Sequence, residues 1–320
     1  MGQPLRPPGA ALVGEGAVSG RDLAGYAGSP PRIAWPNGAR LAVSVVVNFE
    51  EGAELQVGDG DARSEPMGEV MSVVPAGRRD QGQEGIFGYG TRAGIWRMLG
   101  ALDETALPAT IFFCGRAVER SPDLARILVE RGHEAANHGW RWRPHADYDT
   151  EEAEAADLDR CREAIEAATG SAPAGFFCRG GESPWTRRLL AKRGYLYGSN
   201  AFDDDLPYWD AAVPGGPLLV VPYSLDTNDM KFFHPNGFVR ASEMVEYVRD
   251  ALDVLEEEAK RGETRLLNLG FHLRICGRPA RFPAFRDTLR LLAERRDRIW
   301  VATRADIARA FTAAVPAPTG

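Results

Sequence analysis

Two adjacent glutamates, Glu50 and Glu51, close the apolar run "ARLAVSVVVNFEE", and two imidazoles follow far along the chain, His138 in "AANHGWRWRPH" and His272 in "GFHLRICGR". Carboxylates and imidazoles are the side chains that carry protons in hydrolysis. Arg179 in "CRGGESP" and Arg274 in "HLRIC" add guanidiniums that can support a carbonyl oxygen or an oxyanion. Asp203, Asp204 and Asp205 in "NAFDDDLPYW", with Asp226, Asn228 and Asp229 in "SLDTNDM", complete a set suited to metal-assisted or acid–base hydrolysis. His138 has the glycine-turn setting of a metal ligand. One helical turn on, however, the residue is Trp142, and the next imidazole, His145, comes seven positions after His138.

Each of these residues also has a plainer reading. Paired glutamates at a strand end are often a solvated loop, and a lone histidine after a strand is often hydrogen-bonded structure. Three aspartates in a row suit a turn or a helix cap. His133 and His234 read as structural or exposed.

The elements that would position the set alternate. "ARLAVSVVVNF" (39–49) is a β-branched run after an Asn-Gly turn and suits a strand buried on both faces. Further strands are expected at 109–114, 134–137, 175–178, 195–199, "PLLVVPY", "RLLNLGF" and "RIWVAT". Between them fall helical patterns. "TRAGIWRMLGALDE" spaces Ile95, Met98, Leu99 and Leu102 on one face, and "SPDLARILVERGHE" opens on Ser-Pro and stops at Gly132. More helices are expected at 151–169, 184–193, 242–261 and 284–295, with a last one closing the chain. Alternation of this kind means parallel strands covered by helices, in a (β/α) barrel or an open sheet. Working residues then sit at the C-terminal ends of strands, the rule that selects the residues above. Residues 1–38, rich in Gly and Pro, read as an extended N-terminal arm; 39–315 is one catalytic domain, with a long loop insertion at about 53–83.

With 44% hydrophobic and 26% charged residues, the chain has the make-up of an ordinary globule. A net charge of −7, with arginines interleaved among acids, excludes a nucleic-acid groove. Four scattered cysteines without a CxxC pair form neither a zinc ribbon nor a disulfide framework. There is no run of roughly 18 apolar residues to cross a membrane and no signal-like start, so a cytoplasmic location is expected.

The ordered pieces "RDLAGY", "WPNGARLAV", "NFEEGAE", "GIFGYGTRAGIWR", "GHEAANHGWRW", "SPWTRRLL", "NAFDDDLPYW", "VPYSLDTNDM" and "HLRICGRPAR" resemble the polysaccharide deacetylase (NodB-homology) superfamily. They are more closely similar to its branch of metal-independent allantoinases and related cyclic-amide hydrolases. The resemblance implies an α/β fold, a distorted (β/α) barrel. In the wider superfamily the first strand ends in a catalytic base followed by a metal ligand, and a His-x-x-x-His pair completes the metal site. By that position Glu50 takes the base slot, Glu51 the ligand slot and His138 the first imidazole slot, with Trp142 where the second should be. An indole nitrogen donates only and cannot ligate a cation. One carboxylate and one imidazole are a poor cage for zinc, whose catalytic sites normally have three protein ligands. His145 is a weak substitute, because Pro144 and the seven-residue offset argue against a shared helical face.

The expected activity is therefore hydrolysis of a C–N bond in a small cyclic amide, ureide or imide, with no cofactor. Glu50 is the expected general base, and Glu51 tunes it or holds the water; side by side the two disfavour each other's ionisation, which lifts one pKa towards neutrality. His272, in the place of the superfamily's late catalytic histidine, protonates the leaving nitrogen. His138 with Arg179 or Arg274 supports the oxyanion, while Trp142, Asp204, Asp205 and Asn228 line the pocket. "CRGGESP", "NAFDDD" and "HLRIC" depart from the branch's usual wording, and these loops choose substrates. One alternative is a metal-dependent N-deacetylase of an amino sugar or peptidoglycan, with zinc on Glu51 and His138. Another is a non-catalytic binding barrel. The resemblance also implies a homo-oligomer, possibly a tetramer.

Overall fold

The computed structural model describes residues 22–318; the first part of the expected N-terminal arm lies outside them. In chain order the strands are β1 (Leu41–Phe49), β2 (Thr110–Phe113), β3 (Glu134–Asn137), β4 (Gly175–Phe176) and β5 (Tyr197–Gly198). They are followed by β6 (Tyr208–Asp210), β7 (Leu218–Val220), β8 (Arg265–His272) and β9 (Ile299–Val301). The sheet order is β6-β7-β5-β4-β3-β2-β1-β8, parallel except for β6, which runs antiparallel to β7. β1 is buried along its whole length, as its unbroken apolar sequence requires. It pairs with β8 on one side. On the other, its first three residues meet β9 and its last four meet β2.

The curled sheet comes round on itself without regular pairing at the seam. There Gly270 N–H of β8 donates to Thr227 O at 3.1 Å, and Leu266 N–H donates to Asp205 O at 2.7 Å. The interior is filled. Arg304, fully buried, spreads its guanidinium among Ser44, Ser199, Asn268 and the carbonyls of Val221 and Pro222. Residues 22–38 pass below the strand starts, where Trp35 stacks on Trp300 with ring centroids 5.7 Å apart.

Helices α1 (Gln81–Tyr89) and α2 (Ile95–Thr105) are joined by a π-helical turn at Gly90–Gly94 into one run. The sequence suggested only the second half, because three glycines in "GIFGYG" mask a helix. Gly90, the last of them, and Gly94 are there for close approach. A Cβ on Gly90 would overlap the Glu51 carboxylate, and one on Gly94 would overlap the Leu273 carbonyl. The remaining helices are α3 (Gly115–Arg120), α4 (Pro122–Glu130), α5 (Glu151–Thr169), α6 (Thr186–Lys192), α7 (Ala241–Lys260), α8 (Phe282–Glu294) and α9 (Arg304–Ala314). Between β1 and α1 the chain forms only a short 3-10 turn at Val57–Asp59 and lies over the exit end of the strands. None of the described helices is long and apolar enough to cross a membrane.

Candidate active site

Register sets the centre. In the β1–β8 pair Asn48 is opposite His272, so two residues on, at the strand exits, Glu50 meets Arg274. Because side chains alternate along a strand, Glu50 points the same way as Asn48, and Arg274 the same way as His272. Arg274 Nη1 donates to Glu50 Oε2 at 2.6 Å. The other oxygen of Glu50 faces both imidazoles, His138 Nε2 at 3.1 Å and His272 Nε2 at 3.4 Å.

His138 follows β3, where its N–H donates to Phe113 O at 2.9 Å. Its ring stacks on Phe177, and Nδ1 lies 2.5 Å from the Phe177 carbonyl. A carbonyl only accepts, so Nδ1 carries a proton, and the Glu50 carboxylate can only accept from Nε2. His272 is held from behind by Asp229, whose Oδ1 lies 2.6 Å from Nδ1 and whose Oδ2 accepts the His272 backbone N–H at 2.8 Å. Asp229 opens a 3-10 turn that Asn228 caps, its Oδ1 accepting Met230 N–H at 2.8 Å. Asn228 also donates to Tyr223 Oη at 2.9 Å. The sequence placed Asp229 in the candidate set but gave the pocket role to its neighbour Asn228.

The two glutamates differ in electrostatics. Burial disfavours charge on Glu50, but Arg274, His272 and the His138 hydrogen bond outweigh it and hold the carboxyl well below the usual range. Glu51 is pushed up to about 7, chiefly by burial and with a contribution from Glu50, against the pull of Arg274. Its oxygens accept the backbone N–H of Glu50 and of Arg274, each at 3.1 Å. The expected upward shift therefore falls on Glu51 and not on Glu50, because Arg274 is bonded to the first carboxylate and stands 3.9 Å from the second. Burial works against a charged His272, yet Glu50 and Asp229 together raise it to about 9.

Trp142 is buried, and its backbone N–H donates to Ala53 O at 3.0 Å. Its ring carries Arg179 at 3.8 Å and Arg274 at 4.8 Å, and Phe87 packs 5.7 Å away. Arg179 is not on Glu50. It forms a two-pronged pair with Glu65 of the 53–83 insertion, at 2.7 and 3.0 Å. Glu65 had no signal in the sequence, since it lies in a stretch without periodicity. His145 is also turned away from the centre, with Nδ1 on Glu154 at 2.9 Å and Nε2 3.5 Å from Asp157.

Asp204 and Asp205 are not brought to this group. The Asp205 carbonyl caps Leu266, near the entry of β8 and six residues, or about 20 Å of strand, before His272. Asp204 Oδ1 accepts Leu206 N–H at 3.0 Å as a turn cap. The strand-end rule misleads here because β5 is two residues long and the chain doubles back at once to reach antiparallel β6.

A divalent metal does not fit the donors present. The position that would supply a second imidazole holds an indole covered by guanidiniums, and Arg274 already brings a full positive charge to Glu50. Among the described residues no three His, Cys, Asp or Glu side chains stand together as a metal-holding group. What the cluster can do without one is hold an ionised carboxylate, a protonated imidazole backed by Asp229, and fixed guanidinium donors within one small volume.

The Polysaccharide deacetylase family model matches residues 86–197. A Schizosaccharomyces pombe protein described as "Putative polysaccharide deacetylase" is 34% identical over 92% of this chain and 98% of its own length. This chain belongs to the polysaccharide deacetylase family. Among solved structures, a "probable Polysaccharide deacetylase" from Pseudomonas aeruginosa PAO1 shares 39% identity, covering 94% of this chain and all of its own, with a TM-score of 0.88. PuuE allantoinase matches with 38% identity, 94% and 100% coverage, and a TM-score of 0.88. The barrel expected from the sequence is thus the family's curled α/β fold, and the chain is a hydrolase of this type. Glu50, Glu51, His272 and Arg274 all lie outside the matched stretch 86–197, so the family model alone does not reach the centre of the site.

Proposed function

We propose that the chain opens a C–N bond of a small cyclic amide, ureide or imide, with water activated by side chains and no metal. The observation that carries this reading is the Arg274–Glu50 pair beside Trp142: a fixed guanidinium supplies the positive charge that a metal would bring. The likeness to PuuE allantoinase over nearly the whole chain supports the ring-amide class.

In this reading a substrate and its water enter between Glu50 and His272, separating a pair now 3.4 Å apart. Each has been stabilising the other's charge, so separation raises the pKa of Glu50 and lowers that of His272. Glu50 becomes the better base and His272 the better acid. Water gives its proton to Glu50 as its oxygen attacks the ring carbonyl. Arg274 Nε, buried without a hydrogen-bond partner, is available to the developing oxyanion together with His138. His272, held by Asp229, protonates the departing nitrogen. Base assistance contributes roughly 10²–10⁴-fold. That suffices for a strained or activated ring amide and falls short for an unactivated acetamide. Glu51 clamps the Glu50 and Arg274 backbones.

The names carried by the Schizosaccharomyces and Pseudomonas relatives favour a second reading, deacetylation of a polysaccharide, for which the alternative raised by the sequence is a metal-dependent N-deacetylase. Parallel assays of hydantoin-type rings, cyclic imides and acetylated chito-oligomers, each with and without chelator, separate the two. Chelator-resistant ring opening is the expected result; chelator-sensitive release of acetate alone would replace it. We also propose that the chain works as a cytoplasmic homo-oligomer, joined through the insertion, where Val70, Met71 and Val73 are 66%, 65% and 92% exposed.

A further inference from the structure

We propose that Arg179 is an anion subsite, occupied in this structure by the protein's own Glu65, and that the substrate ring carries a carboxylate that takes Glu65's place. This rests on the ring-opening reading above and narrows its substrate class.

The seat is built for a carboxylate. Glu65 meets Arg179 through both oxygens, at 2.7 and 3.0 Å, in the fork geometry that guanidinium offers to carboxylate and to few other groups. Arg179 sits over Trp142, its guanidinium carbon 3.8 Å from the ring centroid, and the other guanidinium near that indole, Arg274, is the one bonded to Glu50. An anion on Arg179 is therefore one aromatic platform away from the reacting carboxylate.

Apart from Arg179, the occupant is held by its own loop: its N–H donates to Leu55 O at 2.8 Å and its Oε1 accepts the Met67 N–H at 3.2 Å. Of residues 55–79 only Ser64 and Glu65 are buried, and both are polar. The Ser64 hydroxyl is buried without a partner. The rest of the segment is fastened by charge: Asp59 to Arg116 and Arg120, Asp61 to Arg141, Glu69 to Arg278 and Arg281. A segment whose only buried side chains are polar gives up little hydrophobic burial when it lifts, Leu55, Val57, Pro66 and Met67 being half-buried. Something must lift, because Glu50, His272, Arg274 and Trp142 are each no more than 4% exposed. Withdrawal of Glu65 leaves the Arg179 guanidinium without its counter-charge, and that selects an anion. Trp142 keeps Arg179 in place meanwhile.

The test compares two rings of equal size, hydantoin-5-acetate and hydantoin-5-acetamide, by calorimetric affinity and by initial rate on the full chain. The carboxylate is expected to bind about tenfold tighter or more, the effect of one charge-assisted pair. Glu65→Gln, which removes the competing charge, is expected to tighten it further. Arg179→Lys, which keeps the charge but loses the fork, is expected to erase most of the preference with a thermal midpoint near wild type. Equal affinity for the two rings, or a preference that survives in Arg179→Lys, overturns the subsite. Arg179-dependent binding of the carboxylate without ring opening leaves the subsite standing and removes the ring-opening reading. Opening of the acetamide with no preference for the carboxylate does the reverse.

Discussion

Arg274 touches both carboxylates of the β1 exit: its guanidinium donates to Glu50 at 2.6 Å and its backbone N–H to Glu51 at 3.1 Å. One residue of β8's exit thus ionises the first glutamate and anchors the second. The two acids, adjacent in sequence, are driven to opposite ends of the carboxylate range. Environment and not residue type divides their roles.

Glu50→Gln keeps the shape and removes the base. Loss of kcat by roughly 10²–10⁴-fold is expected, with substrate binding changed far less. Initial-rate kinetics on any ring substrate found by screening measures it, and a kcat within a factor of about three of wild type would remove Glu50 from the mechanism.

His272 supplies an alkaline limb. With its pKa raised to about 9, the ring holds its proton through neutral pH and loses it above. The free-enzyme profile of kcat/KM should stay level from about pH 7 and fall beyond about 9. Asp229 is one of the two groups that hold that charge, so Asp229→Asn should move the limb toward the ordinary histidine range. An unmoved limb would assign it to another group.

Glu51 predicts a stability trend. An unfolded glutamate titrates near 4.5, whereas the folded one titrates at about 7. Between those values the folded chain binds the extra proton, so this group lowers stability as pH rises through the window. By pH 8 the loss is about 3 kcal/mol. Glu51→Gln lacks the titration. Its thermal midpoint relative to wild type should therefore climb between pH 4.5 and 8, whatever fixed cost the lost hydrogen bond adds. A constant difference would contradict the raised value.

How much of this was legible in the sequence depended on periodicity. β1, β8 and the residues at their exits could be read because a continuous apolar run ends in a polar step, and that step is where a barrel does its chemistry. Trp142 was informative because an indole cannot do what an imidazole does. Glu65 and Asp229 sit in segments with no repeating pattern, so nothing local says which acid turns inward. Asp204 and Asp205 were misassigned because a two-residue strand gives too little warning that the chain reverses. Which of the two pKa values rises could not be read, because the contact between Glu50 and Arg274, 224 positions apart, decides it.

Trp142→His rebuilds the missing imidazole and tests the packing argument. Loss of the Phe87 and guanidinium contacts should cost about 3 kcal/mol of stability. Zinc should not restore the lost activity while Arg274 holds Glu50. A zinc-dependent gain above wild type would show that the indole alone keeps the metal away.

The claim beneath all of these is that a guanidinium has taken the metal's electrostatic place. It is tested most directly by measuring ring-amide turnover and bound metal together, on protein purified with chelator and then titrated with zinc. Full activity is expected with under about a tenth of a metal ion per chain and no gain on titration. Activity that rises in step with zinc to one ion per chain would contradict it.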